Sequence, residues 1–354
     1  MAEETNHYGA TAAREHGRPG REVRPPSITI DMHSHVMVPE AAALTQPHID
    51  LTKVPLAHFA TDNTKALNRK QDADRRPNIL DIDVRLADMD AAGIDVQVIM
   101  PPPPQCTYTV PLEIGIKAAR IVNAGLASFV AQKPERFAAI GTVPMQDGRA
   151  AAAELERSMR EDGMRGAHIL TSVNGLELSD PQFAPFWEKA EELGAVILIH
   201  PNGFTEAGRM TRFYFNNVIG NPLETTLALH YLIFDGVLER HPALKLIAVH
   251  GGGYLASYSG RIDHAYGARS DVRGTLPHLP TTYLKRVFVD SVVFTPHQLR
   301  HLVEVFGPDK VLMGTDYPYD MAESDPVGHL ASAGLDGATF AKIAGGNAKA
   351  LFGI

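Results

Sequence analysis

Residues 28–35 read Ile28-Thr29-Ile30-Asp31-Met32-His33-Ser34-His35, a mostly apolar run that breaks into His-Ser-His. The run 28–32 is the first of eight short segments rich in Val and Ile; the others are 96–100, 137–143, 166–170, 196–200, 245–250, 287–292 and 310–314. Continuous apolar runs suit parallel strands buried on both faces, and parallel strands need long crossovers, usually helices. Helical stretches with Gly or Pro stops fill the gaps: 83–92 ends at Gly93, 111–132 before Pro134, 150–162 at Gly163 and 181–193 at Gly194. Eight such repeats predict an α/β chain closed into a (β/α)8 barrel. An open doubly wound sheet often carries a Gly-rich phosphate loop after its first strand, and here His33-Ser34-His35 takes that place.

The 354 residues hold 33 basic and 41 acidic side chains, a net charge of −8. That balance argues against nucleic acid as a partner, since phosphate binding needs a basic surface. Hydrophobic residues make up 44% and charged ones 21%, as in an ordinary globular protein with a sizeable core. Residues 1–27, with Arg14, Arg18, Arg21 and Arg24 among Gly and Pro and no apolar h-region, read as a mobile arm. Residues 28–354 form the barrel. The stretch from about 37 to 80 is too long for an ordinary βα loop and reads as an insertion capping the mouth. Pro101–Pro104 after the second strand reads as a stiff loop. The lone Cys106 marks no oxidising compartment, so a cytoplasmic setting is expected. Apolar runs such as 196–199 fall short of the roughly 20 residues of a membrane helix, so no membrane is expected.

Histidine occurs 16 times, and position separates the copies. A period of two sends His33 and His35 to one face at the end of the first strand. The fifth strand ends in His200, the sixth in His250, and the eighth runs into Asp316. In such barrels all strand C-termini open onto the face that carries active sites. His33, His35, His200 and Asp316 supply a four-donor set for one divalent cation, with His250 left over. His168, His230, His241 and His301 read as packing or surface residues, His7 and His16 fall in the arm, and His48, His58 and His264 need no role.

Asp31-Met32-His33-Ser34-His35, His200-Pro201, Val249-His250-Gly251-Gly252-Gly253 and Gly314-Thr315-Asp316-Tyr317-Pro318 resemble the amidohydrolase superfamily, in its 2-amino-3-carboxymuconate-6-semialdehyde decarboxylase-like subgroup. The likeness runs from about residue 28 to 354 and includes 141–146, 208–210 and 222–226. It implies that His33, His35, His200 and Asp316 are metal ligands and that His250 is the catalytic base, with Asp316 sharing the proton work. Binuclear relatives bridge two ions with a lysine or acid after the fourth strand; 166–171 offers neither, which implies one metal, zinc first, with manganese, iron or cobalt as alternatives. The resemblance also assigns Arg261 to a substrate carboxylate, a role its planar fork suits; a structural pairing with Asp263 is the competing reading. A second arginine from the insertion falls on Arg76, with Arg75 and Arg69 close by. A homodimer or higher homo-oligomer is implied as well.

Where these relatives have tryptophan after His-Pro, this chain has Asn202-Gly203-Phe204, so the exact substrate does not carry over. Phe204, Phe213, Tyr214 and Phe215 either line a pocket for a flat ring or simply pack. The implied function is non-oxidative decarboxylation of a small unsaturated or aromatic carboxylic acid through metal-activated water. A hydrolase of an amide, lactone or ring-cleavage product, or a hydratase, uses the same site. A non-catalytic metal-binding barrel has no use for His250, because structural sites are closed.

Overall fold

A computed structural model describes residues 20–354 of the chain. Most of the expected arm, with His7, His16, Arg14 and Arg18, lies outside the described residues. Its described end is docked on the barrel: Gly20–Val23 forms a helical turn, and Arg24 pairs with Asp95.

The strands are β1 (Ile30–His35), β2 (Val96–Met100), β3 (Phe137–Ala139), β4 (Gly141–Thr142), β5 (Gly166–Leu170), β6 (Ser172–Val173), β7 (Leu176–Glu177), β8 (Val196–His200), β9 (Lys245–Ala248), β10 (Phe288–Asp290) and β11 (Val311–Leu312). β6 and β7 form a small antiparallel hairpin. The remaining strands are parallel and run β1-β2-β3 in one sheet and β11-β10-β9-β8-β5-β4 in the other. Two joints turn these sheets into one barrel. β3 and β4 are a single stave interrupted at Ile140, whose N–H turns to the Ile99 carbonyl at 3.0 Å, so the stave changes partner from β2 to β5. On the other side Met32 N donates to Met313 O (2.9 Å), Asp316 N donates to His33 O (2.8 Å), and Ser34 bridges Tyr317 in parallel. The eighth run, 310–314, contributes only the two-residue β11 as regular strand; its continuation reaches β1 through this seam.

Alternation along the staves sorts the core into two layers. Met32, Val98, Met100, Ile140, Leu198, Ile247, Val249 and Leu312 fill the barrel together with Leu351 and Phe352 of the C-terminal helix Asn347–Phe352. Ile99, Ala139, Ile169, Ile197, Ile199 and Ala248 face outward into the larger core beneath the helices. Helix Leu112–Gln132 is long and apolar enough to cross a membrane by length and composition. Here it packs on the barrel through Ala118, Val122, Leu126 and Phe129, and the buried Asn123 on it donates to Thr142 O and Glu154.

The insertion folds as helices Pro39–Thr45, Pro55–His58, Asp62–Asp74 and Arg76–Leu80, joined by short 3-10 turns. It is tied to the mouth by Leu56 N on Asn202 O (3.2 Å), by Asn216 Nδ2 on Pro55 O (3.0 Å) and by Gln105, which brackets the Val38 backbone.

Candidate metal centre

Strand ends bring the donors together, with one departure from simple alternation. Ile30 and Met32 point into the barrel, so strict period two would turn His33 and His35 outward. A bulge in β1, between Asp31 and Ser34, shifts the phase and brings both imidazoles inside. Gly314 makes room for them, since a Cβ there would sit 3.1 Å from the Cβ of His33 and of Asp290. His250 and Asp316 adopt φ of 55° and 65°, a left-handed backbone that costs about 1–3 kcal/mol in a residue other than glycine and recurs at functional sites.

The rings of His33, His35 and His200 stand at the corners of a nearly equilateral triangle, with centroids 5.1, 5.2 and 5.4 Å apart. Three imidazoles bound through Nε2 at about 2.0–2.1 Å place their centroids about 5 Å apart around one ion. Their Nε2 atoms surround a single oxygen, Oδ1 of Asp316, at 3.4 Å (His33), 3.0 Å (His35) and 3.9 Å (His200). His33 Nε2 and His200 Nε2 are buried and have no hydrogen-bond partner among the described residues. On the far side of each ring Nδ1 is anchored: His33 to Asp290 Oδ2 (2.8 Å), His35 to Pro101 O (3.1 Å), His200 to Pro201 O (2.6 Å). An anchored Nδ1–H leaves the Nε2 lone pair free for a metal. Burial pushes His200 down to about 3, so its imidazole is neutral at any ordinary pH and can offer Nε2 as a donor. Burial opposes charge on Asp316, but the surrounding imidazoles, His33 foremost, hold it well below the usual carboxylate range. The donor set fits one divalent ion.

His250 stands differently. Its Nε2 faces the other oxygen, Asp316 Oδ2, at 3.5 Å, and its side chain is 16% exposed, against 0–6% for the three histidines around Oδ1. Its donor atom nevertheless falls in the compact group with His33, His200 and Asp316, all within 4.8 Å of one another.

A buried layer supports these groups. Asp31 accepts from His33 N (3.1 Å), Thr315 N (3.0 Å), Thr315 Oγ1 (2.7 Å) and Gln97 Nε2 (2.9 Å), tying the first and last staves beneath the donors. Burial raises its carboxyl to about 6. Asp290 holds His33 with one oxygen and accepts from Gly251 N (2.8 Å) with the other, fixing the turn that carries His250. Sequence reasoning passed over Asp290, although an acid at a strand end was a usable signal. It also set aside His168, which lies inside the barrel, 5.4 Å from the His200 ring, with Nδ1 on the same Pro101 carbonyl that holds His35 and its own Nε2 buried and unpartnered. His230 and His241 are engaged with Thr226 O and Glu191, and His48, His58 and His264 are exposed.

The residues expected near the substrate lie in different surroundings. Arg76 is exposed, whereas its neighbour Arg75 is buried, because successive positions along helical backbone point in different directions. Arg75 stacks over Tyr319 (4.9 Å), whose ring lies 5.2 Å from that of His35. Its Nε and Nη2 are spent on Gln71, while Nη1 is buried without a hydrogen bond, 3.9 Å from Asp320. Arg69 is exposed. Arg261 is exposed on helix Ser259–Ala268 and has no ion pair among the described residues; Asp263 is instead bound by Thr281. Phe204 is half-buried against Gly220 and has no ring contact with the donor histidines among the described residues.

The amidohydrolase family model matches residues 30–354. A 2-amino-3-carboxymuconate-6-semialdehyde decarboxylase of Dictyostelium discoideum is 33% identical over 93% of this chain and 92% of its own. Among solved structures, 5-carboxyvanillate decarboxylase LigW from Sphingomonas paucimobilis superposes with a TM-score of 0.81 at 28% identity, over 93% of this chain and 99% of its own. A dihydroxybenzoic acid decarboxylase from Polaromonas sp. JS666, with bound manganese and 2-nitroresorcinol, has a TM-score of 0.77 at 25% identity, over 92% and 97%. With a barrel of this design, a His/Asp donor group at its mouth and a family match across all its staves, the chain belongs to the amidohydrolase family.

Proposed function

We propose that the protein is a metal-dependent non-oxidative decarboxylase of a small unsaturated or aromatic carboxylic acid. One observation carries the reading: beside a complete set of three histidines and an aspartate stands a fourth, partly open imidazole, His250, that faces the other oxygen of Asp316. A divalent ion in this set supplies Lewis acidity and draws the pKa of its water towards 7. Zinc is our first assignment for a His-rich set, with manganese, bound by the Polaromonas relative, as the alternative.

The chain's own groups divide the remaining work. Arg75 Nη1, buried without a hydrogen bond among the described residues and 3.9 Å from Asp320, takes a substrate carboxylate oxygen; we assign this contact to Arg75 and not to Arg76, and leave Phe204 out of the binding set. Nε2 of His250 accepts a proton from water and delivers it to the carbon that loses carbon dioxide, that carbon keeping the electron pair of the broken C–C bond while the hydroxide left behind takes up carbon dioxide as bicarbonate, and the ionised Asp316 steadies the imidazolium between the two events. Exposed Arg261 serves the site of a second copy. Phe213, Tyr258, Val218 and Tyr231, all exposed by 42% or more, belong to the same stretches of chain or their neighbours and support a homodimer interface. With Cys106 as the single cysteine no intramolecular disulfide can form, and a cytoplasmic setting is our assignment on that ground.

The test is carbon dioxide release by metal-loaded protein from 2,6-dihydroxybenzoate, 5-carboxyvanillate and 2-amino-3-carboxymuconate 6-semialdehyde. Release from at least one is expected; none from any, with metal bound, overturns the reading. Sedimentation at micromolar concentration should give a dimer, and a monomer there removes Arg261 from the site.

A further inference from the structure

Beside the metal centre, between the cap and the mouth of the barrel, lies a cavity of about 780 Å³ that none of the donor residues lines. It abuts the centre at two places. Leu170, on its barrel wall, is the register partner of His200, and Asn202 lies two residues beyond that histidine. On the cap side it reaches Asp72, whose carboxylate is 3.6 Å from Arg75 Nε. A molecule held by Arg75 and facing the donor histidines therefore has this space next to it.

The volume lies in the range of pockets that enclose drug-sized ligands, well beyond the needs of one ring. Its wall is mostly carbon, with Leu56 and Ala57 from the cap opposite Leu170, and its neutral polar groups are hydroxyls and amides such as Ser172 and Asn202. The ionisable side chains that touch it, Lys53, His58 and Asp72, are solvent-exposed at the rim. Such a wall offers an ionised group no buried counter-charge, and it rewards carbon.

We propose that this cavity holds an uncharged alkyl or aryl substituent at the end of the substrate away from its carboxylate, so that the natural substrate is larger than a single-ring acid. The assignment rests on the carboxylate contact at Arg75. Each methylene buried is worth roughly fourfold in affinity, so metal-loaded protein should bind 4-butyl-2,6-dihydroxybenzoate at least about tenfold more tightly than 2,6-dihydroxybenzoate by calorimetry. Filling the cavity from the cap with Ala57→Phe should erase that ratio. Ser172→Phe, on the opposite wall, should do the same and serves if the first variant misfolds. Equal or weaker binding of the butyl compound, or a ratio that survives both substitutions, overturns the proposal. Carbon dioxide followed in the same samples keeps the two readings apart: a preference without carbon dioxide release sinks only the decarboxylase, and release without a preference sinks only the cavity.

Discussion

At the strand ends, His33, His35 and His200 are buried and each ring is held by a fixed acceptor on its far side. In the cap, helix Asp62–Asp74 buries only Gln71, and Arg75 just beyond it keeps one guanidinium nitrogen free of any hydrogen bond. The first region spends its hydrogen bonds on defining a position, and the second leaves one buried N–H without a hydrogen bond. Chemistry should therefore fail steeply when the strand ends are altered, while the cap should change what is bound and leave the ion in place.

The strongest way to break this contrast is Asp316→Ala. It removes the atom around which three imidazoles gather, and metal affinity should fall by more than the roughly 10–100-fold that outer partners of ligands cost. Elemental analysis after dialysis checks this, and retained metal would show the four-donor set to be wrongly drawn. His250→Ala should keep the metal and the fold and lower kcat about 10²–10⁴-fold, the usual worth of a general acid–base group. Metal lost with activity would make His250 a ligand. Within the cap, Arg75→Ala should raise KM for carboxylate substrates about 10–100-fold, as expected for a charged hydrogen bond, with metal content unchanged, whereas Arg76→Ala should stay within about twofold. Equal effects at 75 and 76 would erase the distinction between a buried and an exposed neighbour.

The smallest effect lies at the boundary of the two regions. Glu224 is 5% exposed and accepts from Ser172 and Thr205, and burial raises its carboxyl from an ordinary 4.5 to about 7. The unfolded chain releases this proton first, so the contribution to stability is full below about pH 4.5 and declines as pH rises towards 7. Glu224→Gln should remove that decline, on the order of 3 kcal/mol, seen as a flatter Tm against pH. An unchanged slope would mean that Glu224 is solvated in the folded state.

The strand-end donors were legible in sequence because the end of a buried strand fixes where a side chain opens, and the barrel sends all ends to one face. The eight apolar runs marked the staves for the same reason. The bulge in β1 was not legible: His33 and His35 share a parity whether or not Met32 also points inward, and only the pairing with β2 shows the slip. Arg75 and Arg76 are chemically identical neighbours, and their choice depends on how helix Asp62–Asp74 sits on the mouth, which composition does not encode. His168 looked like core because its partner is a backbone carbonyl 67 positions away. Asp290 was hidden by the short β10, whose apolar run reads as continuing to residue 292.

The seam from Met32 and His33 to Met313 and Asp316 joins the first and last staves at the candidate metal centre. During synthesis a ribosome would have released both early imidazoles long before the carboxylate that unites them with His200. Metal capture thus becomes a signature of a chain translated past Asp316, and a product cut short before residue 311 should carry no tightly bound metal by elemental analysis after gel filtration, however well its earlier helices form.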